Sequence, residues 1–335
     1  MDKVFGFAIL SLFITSILIV PFIDFLYKMK LQRQKQKTRD VFNNRTYLFD
    51  KLHDWKVGTP IGGGILIIFV VTILTLWAYG LFKVDVKLWE LFVLLFSFVA
   101  FGALGFYDDL KKILNVERTG FFGLRFKHKF IIQWMLGILI GWVLFMNGYT
   151  FVHIPAMGEI TLGPLYILFA AFVIVSFTNA FNITDGLDGL ASGVLLICLC
   201  AFLVISKALL NDFLAIFIAI LLGSVGAFLY FNIYKARLWL GDVGSLSLGA
   251  ALAVIGLLTG KELAVAVIGG VYIVEVGSSL VQILSKKFLK RKAFPIAPLH
   301  LYFLQKGWEE PKVVMRGWLM GFAFALIGLY LAFIH

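Results

Sequence analysis

Polar side chains that could bind a ligand recur at three-residue spacing in the segment NAFNITDGLDGLASG, residues 179–193. They are Asn179, Asn182, Asp185 and Asp188. On a helix, residues three apart face the same side, so two amides and two carboxylates would share one face. The alternative is a hydrated loop between two membrane helices. Ionisable residues are costly beside lipid, and their clustering here favours a functional interpretation.

A pair of acids, Asp108 and Asp109, stands at the end of the apolar stretch 88–107 and is followed by Lys111 and Lys112. Two adjacent carboxylates at a helix end suit a divalent cation or a proton acceptor. The alternative is a solvated helix end whose acids pair with the neighbouring lysines. The two acids alone do not separate these interpretations.

Another carboxylate, Asp242, stands between glycines in the segment WLGDVGSLSLG, residues 239–249. At a helix start it could hold a metal-bound phosphate beside the free N–H groups, or it could serve as the helix N-cap. Earlier in the chain, Lys56 precedes GTPIGGG, residues 58–64. The glycine N–H groups and this one cation could likewise bind a phosphate.

Two further titratable residues occur late in the chain. Glu275 lies in the middle of the apolar stretch 263–284, where an unpaired carboxylate would be costly. We therefore expect Glu275 to be neutral, paired or in contact with water. His300 lies in the connection that follows, and a single histidine there would ordinarily be structural.

The elements that carry these residues are membrane helices. The chain has 335 residues, of which 61% are hydrophobic and only 15% charged, and its mean hydropathy is +0.95. Soluble proteins are about 25% charged, and a bilayer-spanning helix needs about 20 apolar residues. Ten stretches meet that requirement: 4–27, 61–82, 88–107, 130–148, 163–178, 189–206, 213–231, 243–260, 263–284 and 316–334. The sequence predicts an all-α polytopic membrane protein, a single membrane-embedded domain over residues 1–335.

Basic residues indicate the orientation of these spans. Of the 30 lysines and arginines, 25 fall in the connections 28–57, 108–129, 232–241 and 285–316. By the positive-inside rule these connections are cytoplasmic, and both termini lie outside. The same asymmetry accounts for the net charge of +11, because basic residues beside a membrane attract anionic lipid headgroups and substrates. Nucleic-acid binding is not needed to explain this charge.

This orientation brings the acids, the amides and His300 to the cytoplasmic side, surrounded by lysine and arginine. Oxygen ligands without a Cys/His set favour Mg²⁺ over Zn²⁺. Such chemistry suits transfer between a membrane-held phosphate and a soluble phosphate donor in a cytoplasm-facing cleft. An ion-coupled transporter is a distant alternative, because it would hold its acids near the bilayer midplane, where only Glu275 lies. On the outer side, residues 153–163 predict a short β-hairpin.

The chain resembles the polyprenyl-phosphate N-acetylhexosamine-1-phosphate transferase superfamily, and most closely its phospho-N-acetylmuramoyl-pentapeptide transferase family. The matching stretches are KVGTPIGGG (56–64), FYDDLKK (106–112), NAFNITDGLDGLASG (179–193), FN (231–232), LGDVGSLSLG (240–249), VEVGSSLVQ (274–282) and APLHLYFLQKGWEEPKVV (297–314). They extend over almost the whole chain. The GTP…GG element and the last stretch favour the peptidoglycan branch over the UDP-GlcNAc branch.

The resemblance implies transfer of phospho-N-acetylmuramoyl-pentapeptide from its UDP conjugate to undecaprenyl phosphate, with release of UMP, by a homodimer among the lipids of the bacterial cytoplasmic membrane. Its implied cofactor is Mg²⁺, with Mn²⁺ as a substitute. Asp242 would bind the metal together with Asp108, with Asp109 close by. Asp108 would accept a proton from the lipid phosphate or attack as a nucleophile, and His300 completes the implied catalytic set.

The implied substrate-binding residues divide by the part of the substrate that they contact. The nucleotide pocket would be lined by Lys56, Asn182, Asp185, Asp188, Asn232 and Trp239. The diphosphate or the sugar-peptide would contact Lys112, Lys129, Gln282 and His300. Thr59 and Asn179 complete the implied set.

The chain departs from the family pattern at several positions. The usual GTPTMGG reads GTPIGGG, which changes Ile61 and Gly62, and the usual triple histidine is reduced to His300, Leu301 and Tyr302. These positions lie where the sugar-peptide or the diphosphate is expected. A transferase that uses UDP-GlcNAc is therefore the alternative within the superfamily.

Overall fold

The computed structural model describes residues 2–33, 56–81, 86–114, 126–155 and 157–334. Within these ranges the protein is built almost entirely from helices, as the sequence predicts. They are α1 (Asp2–Lys28), α2 (Gly63–Leu81), α3 (Leu88–Leu114), α4 (Phe126–Met146), α5 (Tyr166–Thr184), α6 (Leu190–Ala208), α7 (Asp212–Asn232), α8 (Gly241–Leu258), α9 (Glu262–Ile268), α10 (Gly270–Leu284), α11 (Leu299–Gln305) and α12 (Glu310–Phe333). The predicted hairpin forms as well, from antiparallel strands β1 (Phe151–Ile154) and β2 (Gly158–Thr161).

Nine helices in the described ranges are long and apolar enough to cross a membrane, namely α1 to α8 and α12. Helices α9 and α10 together provide a tenth such segment, but they are bent by 76° relative to each other. The expectation of about ten spans is thus confirmed, whereas the straight span predicted over 263–284 is broken at Gly269. Close packing accompanies the bend: a methyl group on Gly269 would stand 2.4 Å from the ring of Phe177, and one on Gly270 would stand 2.7 Å from the ring of Phe324.

Helix α8 forms the centre of the bundle. Every residue from Val243 to Leu258 is buried, as expected of a helix that is apolar on all sides. It packs against α2, α3 and α5. Glycine allows a close approach here: a methyl group on Gly64 of α2 would stand 2.2 Å from the backbone of Gly244.

Successive long helices run in opposite directions, so one side of the bundle collects the ends of α3, α5 and α7 and the beginnings of α2, α4, α6, α8 and α12. On this side, the chain before α2 lies beside the chain before α8. Trp239 donates its backbone N–H to the carbonyl of Pro60 (2.9 Å), and Gly63 donates to the carbonyl of Trp239 (2.8 Å). The motifs singled out in the sequence therefore converge at one end of the bundle. That this end faces the cytoplasm stays a prediction.

Candidate active site

Asp242 lies in the first turn of α8, at the centre of the converging motifs. The preceding Gly241 has a φ of +74°, a conformation that favours glycine, and turns the chain into the helix. The N-cap position is Leu240, so the alternative role of Asp242 as an N-cap is wrong. Asp109 of α3 takes part in that function instead, because its Oδ2 accepts the backbone N–H of Val243 at 3.1 Å.

The carboxylate of Asp242 is bound on both of its oxygens. Asn182 of α5 donates its Nδ2 to Oδ1 at 3.2 Å and to the hydroxyl of Ser245 at 2.6 Å. On the other oxygen, Lys112 of α3 lies 2.8 Å from Oδ2, and Lys129 of α4 forms a second ion pair with the same atom. Four helices thus meet at one carboxylate.

Asp108 shares the two lysines of Asp242. Its Oδ2 lies 3.0 Å from the Nζ of Lys129 and 3.2 Å from that of Lys112, and the residue is only 3% exposed. Lys112 also approaches Asp109 at 3.7 Å. We call Asp108, Asp109, Asp242, Lys112 and Lys129 the acid–lysine cluster. Its three carboxylates outnumber its two ammonium groups, so the ionised cluster retains one negative charge that a cation could neutralise.

The donor set fits one kind of metal site. In the described ranges, no three His, Cys, Asp or Glu side chains are grouped so that they alone could hold a metal ion. Mg²⁺ is usually bound by one or two carboxylates, with water and substrate phosphate as its other ligands. Asp242 and Asp108, which are connected through the same lysines, supply two carboxylates of this type. The cluster therefore suits a magnesium ion completed by a substrate phosphate better than a structural metal.

The four polar residues of the 179–193 segment do not form one helical face. Helix α5 ends at Thr184, and Gly189, with a φ of +79°, precedes α6. The two amides therefore lie on the last turns of α5, whereas Asp185 and Asp188 lie in the turn between the helices. Burial, followed by the negative charge of Asp242, raises the pKa of Asp185 well above its usual value.

Lys56 forms a second buried group with Asp188 and Trp239, three of the residues predicted to line the nucleotide pocket. Lys56 is 1% exposed; its Nζ lies 2.8 Å from Asp188 Oδ1 and 4.9 Å from the centre of the Trp239 ring. Glu310, in the first turn of α12, joins them through Oε1, 2.6 Å from Lys56 Nζ and 2.7 Å from the backbone nitrogen of Asp188. Glu310 was not predicted as a site residue, although an acid beside Pro311 at a helix start is a recognisable N-terminal signal.

Asn232 is brought to the same turn, but its amide bonds to other parts of the protein. Its Oδ1 accepts from the backbone N–H of Gly189 (3.1 Å) and from the Ser192 hydroxyl (2.8 Å), and its Nδ2 donates to the carbonyl of Leu238 (3.0 Å). These bonds connect the end of α7 with the start of α6. The contact of Asn232 with a nucleotide stays a prediction.

Gln282 and Thr59 lie outside the acid–lysine cluster. The amide of Gln282 donates to the carbonyl of Phe294 at 2.7 Å and accepts the N–H of Ala293 at 3.0 Å, which folds the basic segment after α10 back onto the helix. The carbonyl of Thr59 accepts the backbone N–H of Arg33 at 2.9 Å. Substrate contacts of both residues stay predictions.

His300 of α11 reaches the 185–189 turn from the far end of the chain. Its Nδ1 lies 3.0 Å from Glu275 Oε2, so the expectation that Glu275 is paired is confirmed. A methyl group on Gly186 would stand 2.6 Å from the Nε2 of His300. The imidazole thus lies between Glu275 and the turn that carries Asp185.

Asn179 lies one helical turn further into the bundle than Asn182. Its Nδ2 donates to Gln133 Oε1 at 2.8 Å, one turn beyond Lys129 on α4. Gln133 is fully buried and was missed in the sequence, where a single glutamine in an apolar helix gives no signal. The pair holds α4 and α5 together just below the acid–lysine cluster.

Known proteins are similar to this chain over almost its full length. Residues 91–260 match the family described as glycosyl transferase family 4. The chain is 36% identical over 325 residues to a phospho-N-acetylmuramoyl-pentapeptide-transferase of Geobacillus sp. (strain WCH70), covering 96% of each chain. It is 35% identical to the protein of that name from Bacillus pumilus (99% of this chain, 98% of the relative) and 34% identical to the one from Borrelia turicatae (97% and 93%).

Proposed function

The chain belongs to glycosyl transferase family 4 and, within it, to the phospho-N-acetylmuramoyl-pentapeptide transferases, and on that premise we propose how its residues carry out the reaction. The protein transfers phospho-N-acetylmuramoyl-pentapeptide from its UDP conjugate to undecaprenyl phosphate. An oxygen of the lipid phosphate bonds to the β-phosphorus of the nucleotide, the bond between that phosphorus and the bridging oxygen breaks, and UMP leaves. The product is the first lipid-linked precursor of peptidoglycan.

The acid–lysine cluster carries this proposal. A phosphoryl transfer demands positioning and neutralisation of charge on the reacting oxygens more than covalent help from the protein. Lys112 and Lys129 supply two ammonium groups at the end of the bundle where the lipid phosphate and a soluble nucleotide would meet. Asp242 and Asp108 would hold Mg²⁺, which supplies further neutralisation of the diphosphate when it is bound.

Asp108 is better suited to holding cations than to accepting a proton. Two lysine ammonium groups lie within 3.2 Å of its Oδ2 and already contact the oxygen that would have to accept the proton or attack phosphorus. The lipid phosphate is a monoester, largely dianionic near pH 7, so it needs no strong base to attack. We therefore favour direct attack by the lipid phosphate over a covalent intermediate on Asp108.

The nucleotide would bind at the 185–189 turn. Asp185 lies in this turn, where its carboxyl group can hydrogen-bond to the imide edge of uracil. The turn is held by the buried ion pairs of Lys56 with Asp188 and Glu310. The ring of Trp239 contacts Lys56 and could pack against the nucleotide. On the basis of these contacts, we propose the turn as the site of the UMP half of the donor and the acid–lysine cluster as the site of the diphosphate.

The departures at the histidine motif do not favour a UDP-GlcNAc donor. Leu301 is fully buried, so its apolar side chain fills the interior of α11 and its neighbours. Tyr302 is partly exposed and lies against Lys306, with 5.6 Å between the ammonium and the ring centre. Neither change removes a polar group from the acid–lysine cluster.

The protein is a multi-pass membrane protein. The positive-inside asymmetry supports a location in the bacterial cytoplasmic membrane with the active site on the cytoplasmic face, where a soluble UDP conjugate is accessible. The family resemblance supports a homodimer.

Release of UMP by the purified protein tests the proposal. Undecaprenyl phosphate is offered with UDP-N-acetylmuramoyl-pentapeptide or UDP-GlcNAc, each with Mg²⁺, with Mn²⁺ or with EDTA. We expect UMP only from the pentapeptide donor, and no UMP with EDTA. Release from UDP-GlcNAc alone would overturn the assigned donor, and full activity in EDTA would overturn the metal requirement.

A further inference from the structure

One oxygen of Glu275 holds His300 in two places. Glu275 Oε2 lies 3.0 Å from the Nδ1 of His300 and accepts the backbone N–H of the same residue at 3.3 Å. Glu275 is 6% exposed and His300 is 2% exposed. Both the backbone and the ring of His300 are therefore fixed to α10.

The start of α11 depends on this arrangement. The first N–H groups of a helix have no partner within it. Here Leu299 donates its N–H to the hydroxyl of Ser278 at 3.0 Å, and His300 donates to Glu275. Ser278 in turn donates to the backbone carbonyl of Glu275 at 2.8 Å. Two residues of α10, three apart, thus orient the short helix that carries the imidazole.

The contact with Glu275 also determines which ring nitrogen is available to a ligand. In this contact the carboxylate is the hydrogen-bond acceptor and Nδ1–H is the matching donor. The other nitrogen, Nε2, faces Gly186 in the turn proposed to bind the nucleotide. The carbonyl of Gly186 accepts from Lys56 Nζ at 3.5 Å, so the same glycine contacts both the buried Lys56 and the imidazole.

We propose that Glu275 is a positioning residue for the transfer reaction: it accepts the Nδ1 proton of His300 and balances the charge of the imidazolium, so that Nε2–H donates to a phosphate oxygen of the donor. The inference rests on the proposed function. A carboxylate inside a membrane-spanning helix is costly, and replacing a buried ion pair with apolar side chains of similar size is often neutral or stabilising. Folding alone therefore gives little reason for this pair.

A double-mutant cycle tests the proposal through kcat and KM for UMP release. Glu275→Leu should lower kcat at least 10-fold, and Glu275→Gln, which keeps an acceptor oxygen, should retain an intermediate kcat. In a His300→Ala background, Glu275→Leu should change kcat less than 2-fold, because the residue that Glu275 positions is then absent. KM for the lipid acceptor should change little in every variant.

Glu262→Gln is the matched control. Glu262 is also a buried carboxylate on the bent α9–α10 pair, at 7% exposure, but it bonds to Tyr166 at 3.3 Å on the opposite side of the bundle. Its removal should leave kcat within 2-fold of wild type.

Equal losses from Glu275→Leu in the presence and absence of His300 would overturn the proposal, as would wild-type kcat in Glu275→Gln and Glu275→Leu. If Glu275→Leu fails to fold, Glu275→Gln with and without His300→Ala completes the same cycle. Wild-type protein that released no UMP from either donor would overturn the proposed function itself, and this inference with it.

Discussion

Gly105 of α3 lies directly against the backbone of Asp242 in α8: a methyl group on Gly105 would stand 2.1 Å from the Asp242 carbonyl oxygen. Asp108 follows about one turn later on α3. The close backbone contact therefore sets the separation of the two carboxylates that would hold the metal. Lys112 and Lys129 neutralise the acids, but the backbone packing determines where the two carboxylates lie.

Gly105→Ala should separate α3 from α8 and misplace Asp108 relative to Asp242. Overpacking of this kind typically costs about 1–3 kcal/mol, and UMP release should fall more steeply than stability because the metal site is disrupted. Thermal midpoints and initial rates in detergent measure both effects. Gly80→Ala, in a helix with no atom near the added methyl group, is the control and should be neutral. Normal rates in Gly105→Ala would show that the separation of the acids is not critical.

Lys56→Met should destabilise the protein strongly. It leaves Asp188 and Glu310 buried without their cation, and breaking a buried ion pair from one side costs about 3–5 kcal/mol. Lys207→Met provides the comparison, because Lys207 pairs with an aspartate whose side chain is 74% exposed, and such pairs contribute about 0–1 kcal/mol. Thermal or denaturant unfolding of both variants measures the difference. Equal stability of the two would contradict the structural role of Lys56.

Asp185→Asn should stabilise the metal-free protein, and increasingly so as the pH rises. The unfolded chain loses the Asp185 proton near pH 4, whereas burial and Asp242 raise the pKa of this group in the folded protein. The folded state therefore loses stability relative to the unfolded state as the pH rises from 4 toward the folded pKa. Asparagine cannot ionise, so it avoids that loss.

The measurement is the difference in thermal midpoint between Asp185→Asn and wild type from pH 4 to pH 8. Glu159→Gln, which changes an exposed acid of β2, controls for the general loss of a carboxylate. A difference that stays constant or shrinks with rising pH would contradict the raised pKa.

Much of the fold was predictable, because the length of each apolar stretch and the distribution of basic residues among the connections can be read from the sequence. The ten segments, the outer hairpin and the grouping of helix ends follow from them. The break at Gly269 was not predicted, since the stretch 263–284 contains no proline and the bend brings its glycines against Phe177 and Phe324, which are distant in sequence.

The sequence allowed us to predict which residues meet at the candidate site. Asp108, Asp242, Asn182 and Lys129 are brought together, as the shared helix ends suggested. Their hydrogen-bond partners were harder to predict. Glu310 and Gln133 act through contacts more than 40 residues away in sequence, and Asn232 uses its amide to hold backbone groups. Such pairings depend on tertiary packing, which a single sequence does not encode locally.

The most direct test of an active site centred on Asp242 is the rate of UMP release by Asp242→Asn, measured beside wild type with undecaprenyl phosphate, UDP-N-acetylmuramoyl-pentapeptide and Mg²⁺. The substitution keeps the size of the side chain and removes its charge. We expect the rate to fall about 10³-fold, the scale of electrostatic contacts in such sites, with a thermal midpoint close to that of wild type. A folded Asp242→Asn protein that released UMP at the wild-type rate would contradict this assignment.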